Sequence, residues 1–294
     1  MKNLFAIICL FLVSTSLFLT GCSKEEDPIV LPTITYKQEA GYISANTTAN
    51  YAYTLNFGII AKSNGIDNLV KFQVYANGNQ LVDSTINTAS FTFDFYSVKS
   101  VLDKEVWKFV TTDIAGNTKS DSITITGSFG EITSVNSIKF GAQNNTTEKS
   151  FLSLTGGVST MYFQADAFNH QADINMFCFY ENTASHVNKM TLAAPGSNIT
   201  GIFTGTTAPD FYTIKNVTFF VKTTLTAAQF DAVTNDAVIL QAYGSAKAYK
   251  KANLLTVGDV FAFKLHTGKY GLYKVTAVDG TETGTLQIDV KIQK

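Results

Sequence analysis

The 294-residue sequence has no arginine, 3 cysteines, 4 prolines and 1 tryptophan, and 15% of its residues are charged. Without arginine there is no planar, bidentate clamp for phosphate or carboxylate groups. A codon bias towards lysine is enough to cause the absence, and the chemical consequence stands either way. A formal net charge of −1 leaves no electrostatic footprint for DNA or RNA, so nucleic acid is excluded as a partner. Cys9 and Cys22 lie at the N-terminal end, so Cys178 is left alone in the body of the chain and no disulfide can form there. Set among Met176, Phe177, Phe179 and Tyr180, that thiol reads as a small buried hydrophobe rather than a nucleophile. The chain also lacks a Gly-x-Ser-x-Gly elbow, a His-Glu-x-x-His pair, a phosphate loop, a Cys-x-x-Cys pair and a calcium-loop spacing. No catalytic residue, metal site or cofactor is therefore assigned.

What is present starts at the N-terminus. Lys2 precedes an apolar run over 4–19, too short and wrongly flanked to span a bilayer comfortably, and suited to an export signal over 1–21. The run ends in Leu19-Thr20-Gly21-Cys22. That tetrad resembles the site at which bacterial lipoproteins are diacylated on the cysteine thiol and cleaved before it. The resemblance implies that Cys22 is lipidated and anchors the chain to a membrane; the alternative is a free cysteine in a plain signal. Each buried acyl methylene contributes ~0.8 kcal/mol, so two or three chains hold the protein on the membrane. Ser23, Lys24, Glu25, Glu26 and Asp27 then form a compact charged tag. It is similar to the Lys-acidic-acidic signal of surface-exposed Bacteroidota lipoproteins, which implies an outer-membrane protein facing the exterior. A solvated tether on a periplasm-facing anchor is the alternative.

After a tether over 22–32, period-two alternation runs to about residue 127. Val70, Phe72 and Val74 alternate with Lys71 and Gln73, and Asn77-Gly78 is the pair a type I′ hairpin turn requires. Phe91, Phe93 and Phe95 alternate with polar partners further on. About seven short strands joined by turns predict an immunoglobulin-like β-sandwich over 33–127. The segment 110–117, Val-Thr-Thr-Asp-Ile-Ala-Gly-Asn, resembles the end of bacterial immunoglobulin-like domains, which implies a spacer. Trp107 is read as a core or interdomain residue rather than a sugar platform. Asp113 and Asn117 are read as turn residues rather than calcium ligands.

A small, polar boundary over 127–135 leads into a second antiparallel β-domain, sandwich or jelly-roll-like, over 135–294. Its expected strands are 137–142, 151–154, 160–166, 173–181, 217–222, 238–242, 259–266, 270–278 and 285–292. In the last, Leu286, Ile288, Val290 and Ile292 oppose Gln287, Asp289, Lys291 and Gln293, which predicts a sheet with one wet face. One short helix is expected over 227–233, opened by a Thr226/Gln229 capping box. Ile138-Lys139-Phe140-Gly141-Ala142-Gln143, Ala172-Asp173-Ile174-Asn175-Met176, Leu192-Ala193-Ala194-Pro195 and the stretch from Phe263 to Val275 resemble a C-terminal region of uncharacterised Bacteroidota lipoproteins. These are strand and turn residues, so the resemblance implies a fold and little chemistry.

The whole chain is thus expected to be all-β. His170 between Asp166 and Asp173 is the densest group of potential ligands, in residues that also suit a turn. Tyr249, Tyr243 and Tyr270 are the candidate ligand-binding residues, because tyrosines set among small residues and lysines suit sugar faces and protein anchors, while Tyr273 alternates with Val275 and is expected inside. Asp83-Ser84-Thr85 and Asp121-Ser122-Ile123 resemble the triplet O-glycosylated in exported Bacteroidota proteins, at expected strand ends. The expected function is a surface-displayed, non-enzymatic binding or adhesion module for a glycan or protein ligand. The alternatives are an accessory subunit of an outer-membrane complex and a carbohydrate-active hydrolase.

Overall fold

The computed structural model describes residues 29–155, 158–244 and 246–294. Cys22 and the tag Ser23, Lys24, Glu25, Glu26 and Asp27 lie outside the described residues. Eight strands build the N-terminal half: β1 (Thr33–Tyr36), β2 (Thr47–Ala49), β3 (Thr54–Lys62), β4 (Leu69–Ala76), β5 (Asn79–Thr88), β6 (Ser90–Val98), β7 (Lys104–Asp113) and β8 (Thr118–Gly127). They pair as β1-β3-β6 in one sheet and β2-β8-β7-β4-β5 in the other. Every pairing is antiparallel except β2 against β8. This is the two-sheet order of an immunoglobulin or fibronectin type III sandwich. Asn77 (φ 50°) and Gly78 (φ 85°) make the β4–β5 turn, with Ala76 opposite Asn79, as that residue pair demands. Strand β2 is not legible in the sequence because three residues, Thr-Thr-Ala, carry no alternation.

Between the sheets Leu55, Phe57 and Ile59 of β3 meet Phe72, Val74, Phe109, Ile123 and Ile125. Phe57 is fully buried, 5.2 Å from the Trp107 ring and 5.5 Å from Phe109. Burying such a ring stabilises the fold by ~1.5–3 kcal/mol. A short link joins the sandwich to the C-terminal half: the Ser128 amide donates to Ala49 O on the sandwich side, and the Gly130 amide donates to Asp236 Oδ1 at 2.7 Å on the other. Phe129, between them, lies so close to Gly127 that a Cβ there would come within 2.4 Å of its ring and displace it.

The C-terminal half contains β9 (Ile132–Gly141), β10 (Phe151–Ser153), β11 (Thr160–Tyr162), α1 (Gln164–Asn169), β12 (Met176–Asn182) and β13 (Val187–Ala193). It continues with β14 (Phe219–Lys222), α2 (Ala227–Asp231), α3 (Asp236–Tyr243), β15 (Lys251–Ala252), β16 (Val260–Lys264), β17 (Tyr270–Asp279) and β18 (Thr285–Gln293). Two five-stranded antiparallel sheets, β11-β10-β12-β13-β15 and β14-β16-β17-β18-β9, face each other across Met176, Cys178, Leu192, Phe263, Tyr273 and Ile288. The chain is all-β in class.

The C-terminal half departs from the sequence expectations in its helices, in some of its strands and on one sheet face. Among the described residues three short α-helices stand where one is expected. The capping box of α2 is present, Thr226 and Gln229 each satisfying the other's amide, but 238–242 is helix α3 rather than a strand, started by Asn235 accepting from the Ala237 amide. The expected strand 160–166 stops at Tyr162 and turns into α1. Strand β13 is absent from the sequence expectation, because Lys189 adopts φ 50° and a register shift at Glu181/Asn182 breaks the alternation.

The face of β18 opposite the core, expected to be wet, is half-buried, because the helical layer covers part of it. Lys291 Nζ donates to Asp231 O and Val233 O at the end of α2, and Gln293 Nε2 to Asp236 Oδ2. On the neighbouring strands Phe230, Val233 and Ile239 of the helical layer pack on Val221, Val260, Ala262 and Leu272. The other sheet is covered in turn by Ala167, Phe203, Ala208 and Tyr212, lying over Phe151, Phe177 and Phe179.

Candidate functional site

Two edge strands, β14 of one C-terminal sheet and β15 of the other, approach each other where the sandwich opens. The chain just before β15 is pinned to β14: Phe220 and Tyr249 exchange both backbone hydrogen bonds, at 2.6 and 2.9 Å. Directly opposed residues present their side chains on the same side, so Tyr249 is carried to the face where Phe220 enters the core. The result is a cleft of about 500 Å³. Phe220 and Phe261 form its buried floor, Ser197 and Ile199 one wall, and Tyr249, Asn253 and the lysines Lys222, Lys250 and Lys251 the rim. Tyr249 is 55% exposed, and the Lys247 ammonium lies 5.2 Å from its ring centroid.

The cations of this rim are unevenly balanced. Lys222 Nζ is 2.9 Å from Asp259 Oδ1, and Lys251 Nζ is 3.7 Å from Glu181 Oε2. Burial raises the Asp259 carboxyl, yet its bonds to Lys222 and to the Thr256 amide and hydroxyl hold it below the ordinary value. Among the described residues Lys250 Nζ donates only to a carbonyl, Gly196 O, at 3.2 Å.

Tyr243 and Tyr270 are brought together elsewhere. Tyr243 is the last residue of α3, not part of an exposed loop, and meets Tyr270 edge to face at 5.0 Å. Burial pushes the Tyr243 hydroxyl up, against the opposing pull of Lys264. Tyr243 lines a second cleft, about 580 Å³, with Lys215, Phe219, Lys264 and His266. Phe219 and Phe220 are neighbours on β14, so this strand separates the Tyr243–Tyr270 pair from Tyr249. Burial lowers the His266 imidazole, partly offset by Asp173. Tyr273 is fully buried beneath the first cleft, stacked on Phe261 at 5.3 Å and 9°. Lys250 and Lys251 adjoin Tyr249 in the sequence, but Lys222 and the phenylalanine floor escape sequence reading, because Phe220, Lys222 and Phe261 are remote in sequence from Tyr249 and meet it only through the sheet pairing.

The remaining candidates fall outside these clefts. Trp107 is buried and donates to Glu105 Oε2 at 3.3 Å. Asp113 is consumed by its own turn, accepting from the Asn117 amide at 2.8 Å and side chain at 3.1 Å. His170 stacks on Tyr162 at 4.7 Å with Asp173 at 3.8 Å, and among the described residues no group of three or more His, Cys, Asp or Glu is placed to hold a metal. Burial pushes the Cys178 thiol far up, away from thiolate chemistry. Ser84 and Ser122 lie within strands β5 and β8 rather than at strand ends, Ser122 exposed and Ser84 half-buried. No helix among the described residues is long and apolar enough to cross a membrane.

No protein-family profile matches the chain, and no curated protein matches it in sequence. Among solved structures, a DUF4466 family protein from Parabacteroides merdae is similar over 91% of this chain and 100% of that one, at 13% identity and a TM-score of 0.43. Fibronectin(III)-like modules of Clostridium thermocellum CbhA match 34% of this chain and 47% of theirs, at 15% identity and a TM-score of 0.25. A Bacteroides uniformis β-glucuronidase 2 matches 90% of this chain and 30% of its own, at 10% identity and a TM-score of 0.23. These likenesses are too loose to carry function, and the fold stands on the strand order itself.

Proposed function

We propose that this protein is a cell-envelope lipoprotein, anchored in the outer membrane through Cys22 and facing the exterior, that binds a glycan or protein ligand without turning it over. The observation that carries this reading is the Tyr249 cleft: an exposed aromatic ring beside lysines, over an apolar floor, at the open edge of a rigid sandwich. Its volume lies within the ~300–1,000 Å³ typical of ligand sites. The immunoglobulin-like sandwich, between the anchor and the cleft in the chain, suits a spacer.

Binding of the full chain to a glycan array tests recognition. Tyr249→Ala is expected to weaken any ligand found by about fivefold or more, with the melting temperature nearly unchanged because the ring is exposed. Unaltered affinity moves the site elsewhere. Cys22→Ala is expected to release the protein from membranes in a density gradient, and a variant that still floats removes the anchor. Replacing Lys24, Glu25 and Glu26 together with alanine should keep the lipid but shield the protein from external protease.

A further inference from the structure

We infer that the Tyr249 cleft selects an anionic sugar, a pyranose bearing a carboxylate or sulfate within an oligosaccharide; this rests on the binding reading above. The first observation is local charge. Lys222, Lys250 and Lys251 line the cleft and the Lys247 ammonium lies 5.2 Å from the Tyr249 ring, in a chain whose net charge is −1. Two carboxylates, Asp259 and Glu181, compensate Lys222 and Lys251, and among the described residues neither Lys247 nor Lys250 has a carboxylate partner. An ammonium has three donors. Lys250 spends one of them on Gly196 O, so the others are directed to solvent or ligand.

The second observation is the kind of surface beside that charge. Tyr249 offers a flat apolar face, Phe220, Phe261 and Ile199 supply an apolar base, and the Ser197 hydroxyl and Asn253 amide line the same cleft. A sugar ring has one apolar face and a periphery of hydroxyls, which this mixture complements. A point-charge ammonium suits a single carboxylate or sulfate on that periphery and does not require the planar geometry arginine would impose. The lysines of this cleft stand beside an aromatic ring and over an apolar floor, which complements the apolar face of a charged sugar and not a bare polyphosphate backbone.

The test is calorimetric titration of the full chain with oligogalacturonate, a sulfated galactan oligosaccharide and an uncharged galactan oligosaccharide, at low and high salt. At least one anionic probe is expected to bind about tenfold or more tighter than the uncharged one, and to weaken with salt as exposed charges are screened; the two anionic arms tell carboxylate from sulfate. Lys250→Gln should weaken that probe about threefold, as removal of an exposed ion pair does, and Lys250→Glu more. Lys119→Gln, on β8, should change nothing. If uncharged galactan binds as well as the anionic probes and needs Tyr249, the anion selectivity is wrong while the binding reading survives. If an acidic peptide of matched charge binds tighter than any oligosaccharide, the sugar class is wrong. If no probe responds to Tyr249→Ala or Lys250→Gln, the anion selectivity of this cleft is wrong and the binding site lies elsewhere.

Discussion

Lys99 Nζ lies 3.1 Å from Glu105 Oε1, an ion pair closed off from solvent at the end of the N-terminal sandwich. Lys99 also donates to Ser100 O and Leu102 O, while Glu105 accepts from the Ser100 amide at 2.7 Å and from the Trp107 indole. The Phe129 ring of the link to the second half sits 5.2 Å from the ammonium. Every donor and acceptor in the group is answered, so losing one member leaves the others unpaired in a dry site. Glu105→Leu is expected to cost ~3–5 kcal/mol, measured as a lower urea midpoint for the N-terminal transition. A loss below ~1 kcal/mol, the worth of an exposed pair, would mean that water reaches the site.

The same pair sets an acid limit. Burial raises the Glu105 carboxyl, but the bonds from Ser100 and Lys99 outweigh it and hold the group below its ordinary value of 4.5. A carboxyl depressed in the folded state binds protons more readily when unfolded. Its stabilisation is therefore fully present above pH 4.5 and fades as pH falls through the lower, folded value. Denaturation midpoints of the wild type and Glu105→Leu are expected to differ most at neutral pH and to converge below pH 4.5, and a constant gap down to strong acid would contradict the linkage.

Beneath the Tyr249 cleft, the Tyr273 hydroxyl is buried with no hydrogen-bond partner among the described residues. Its ring stacks on Phe261 and meets Phe220 edge to face, so it supports the floor from below. A buried unpaired hydroxyl costs ~1–3 kcal/mol. Tyr273→Phe removes that cost and keeps the ring, so stability should hold or rise by ~1 kcal/mol, with the cleft intact. Tyr273→Ala should instead cost ~3–5 kcal/mol through the cavity it opens. Thermal melting of the two variants separates the hydroxyl from the ring, and a marked loss in Tyr273→Phe would reveal a bound water or partner for the oxygen.

Much of the fold can be read from local signals: the Asn77-Gly78 turn, the alternation of Val70, Phe72 and Val74, and the Thr226/Gln229 cap each act within a few residues. The misses are those in which tertiary packing overrides the local pattern. Residues 238–242, Val-Ile-Leu-Gln-Ala, have the apolar content of a strand, yet they lie over Val260 and Leu272 as a helix begun by Asn235. The cleft is less legible still, because Phe220, Phe261 and Lys222 converge on Tyr249 only after β14 and β16 have paired in register.

The two modification triplets differ in what the strands do with them. Ser84 is half-buried on β5, on the same face as Val82 and Ile86, which pack towards the core. A sugar on its hydroxyl would have to wedge between those side chains or pry the edge strand away. Ser122 is exposed on β8 opposite Lys108, and its neighbour Asp121 already accepts the Ser122 amide, which leaves the hydroxyl to solvent. Modification, if the native host makes it, is therefore expected at Ser122 and not at Ser84. Intact mass of the native protein, followed by fragmentation of the peptide carrying residues 118–127, checks this. A mass equal to polypeptide plus lipid leaves both serines bare, and a sugar on Ser84 alone would mean that the β5 edge opens far more readily than its packing allows.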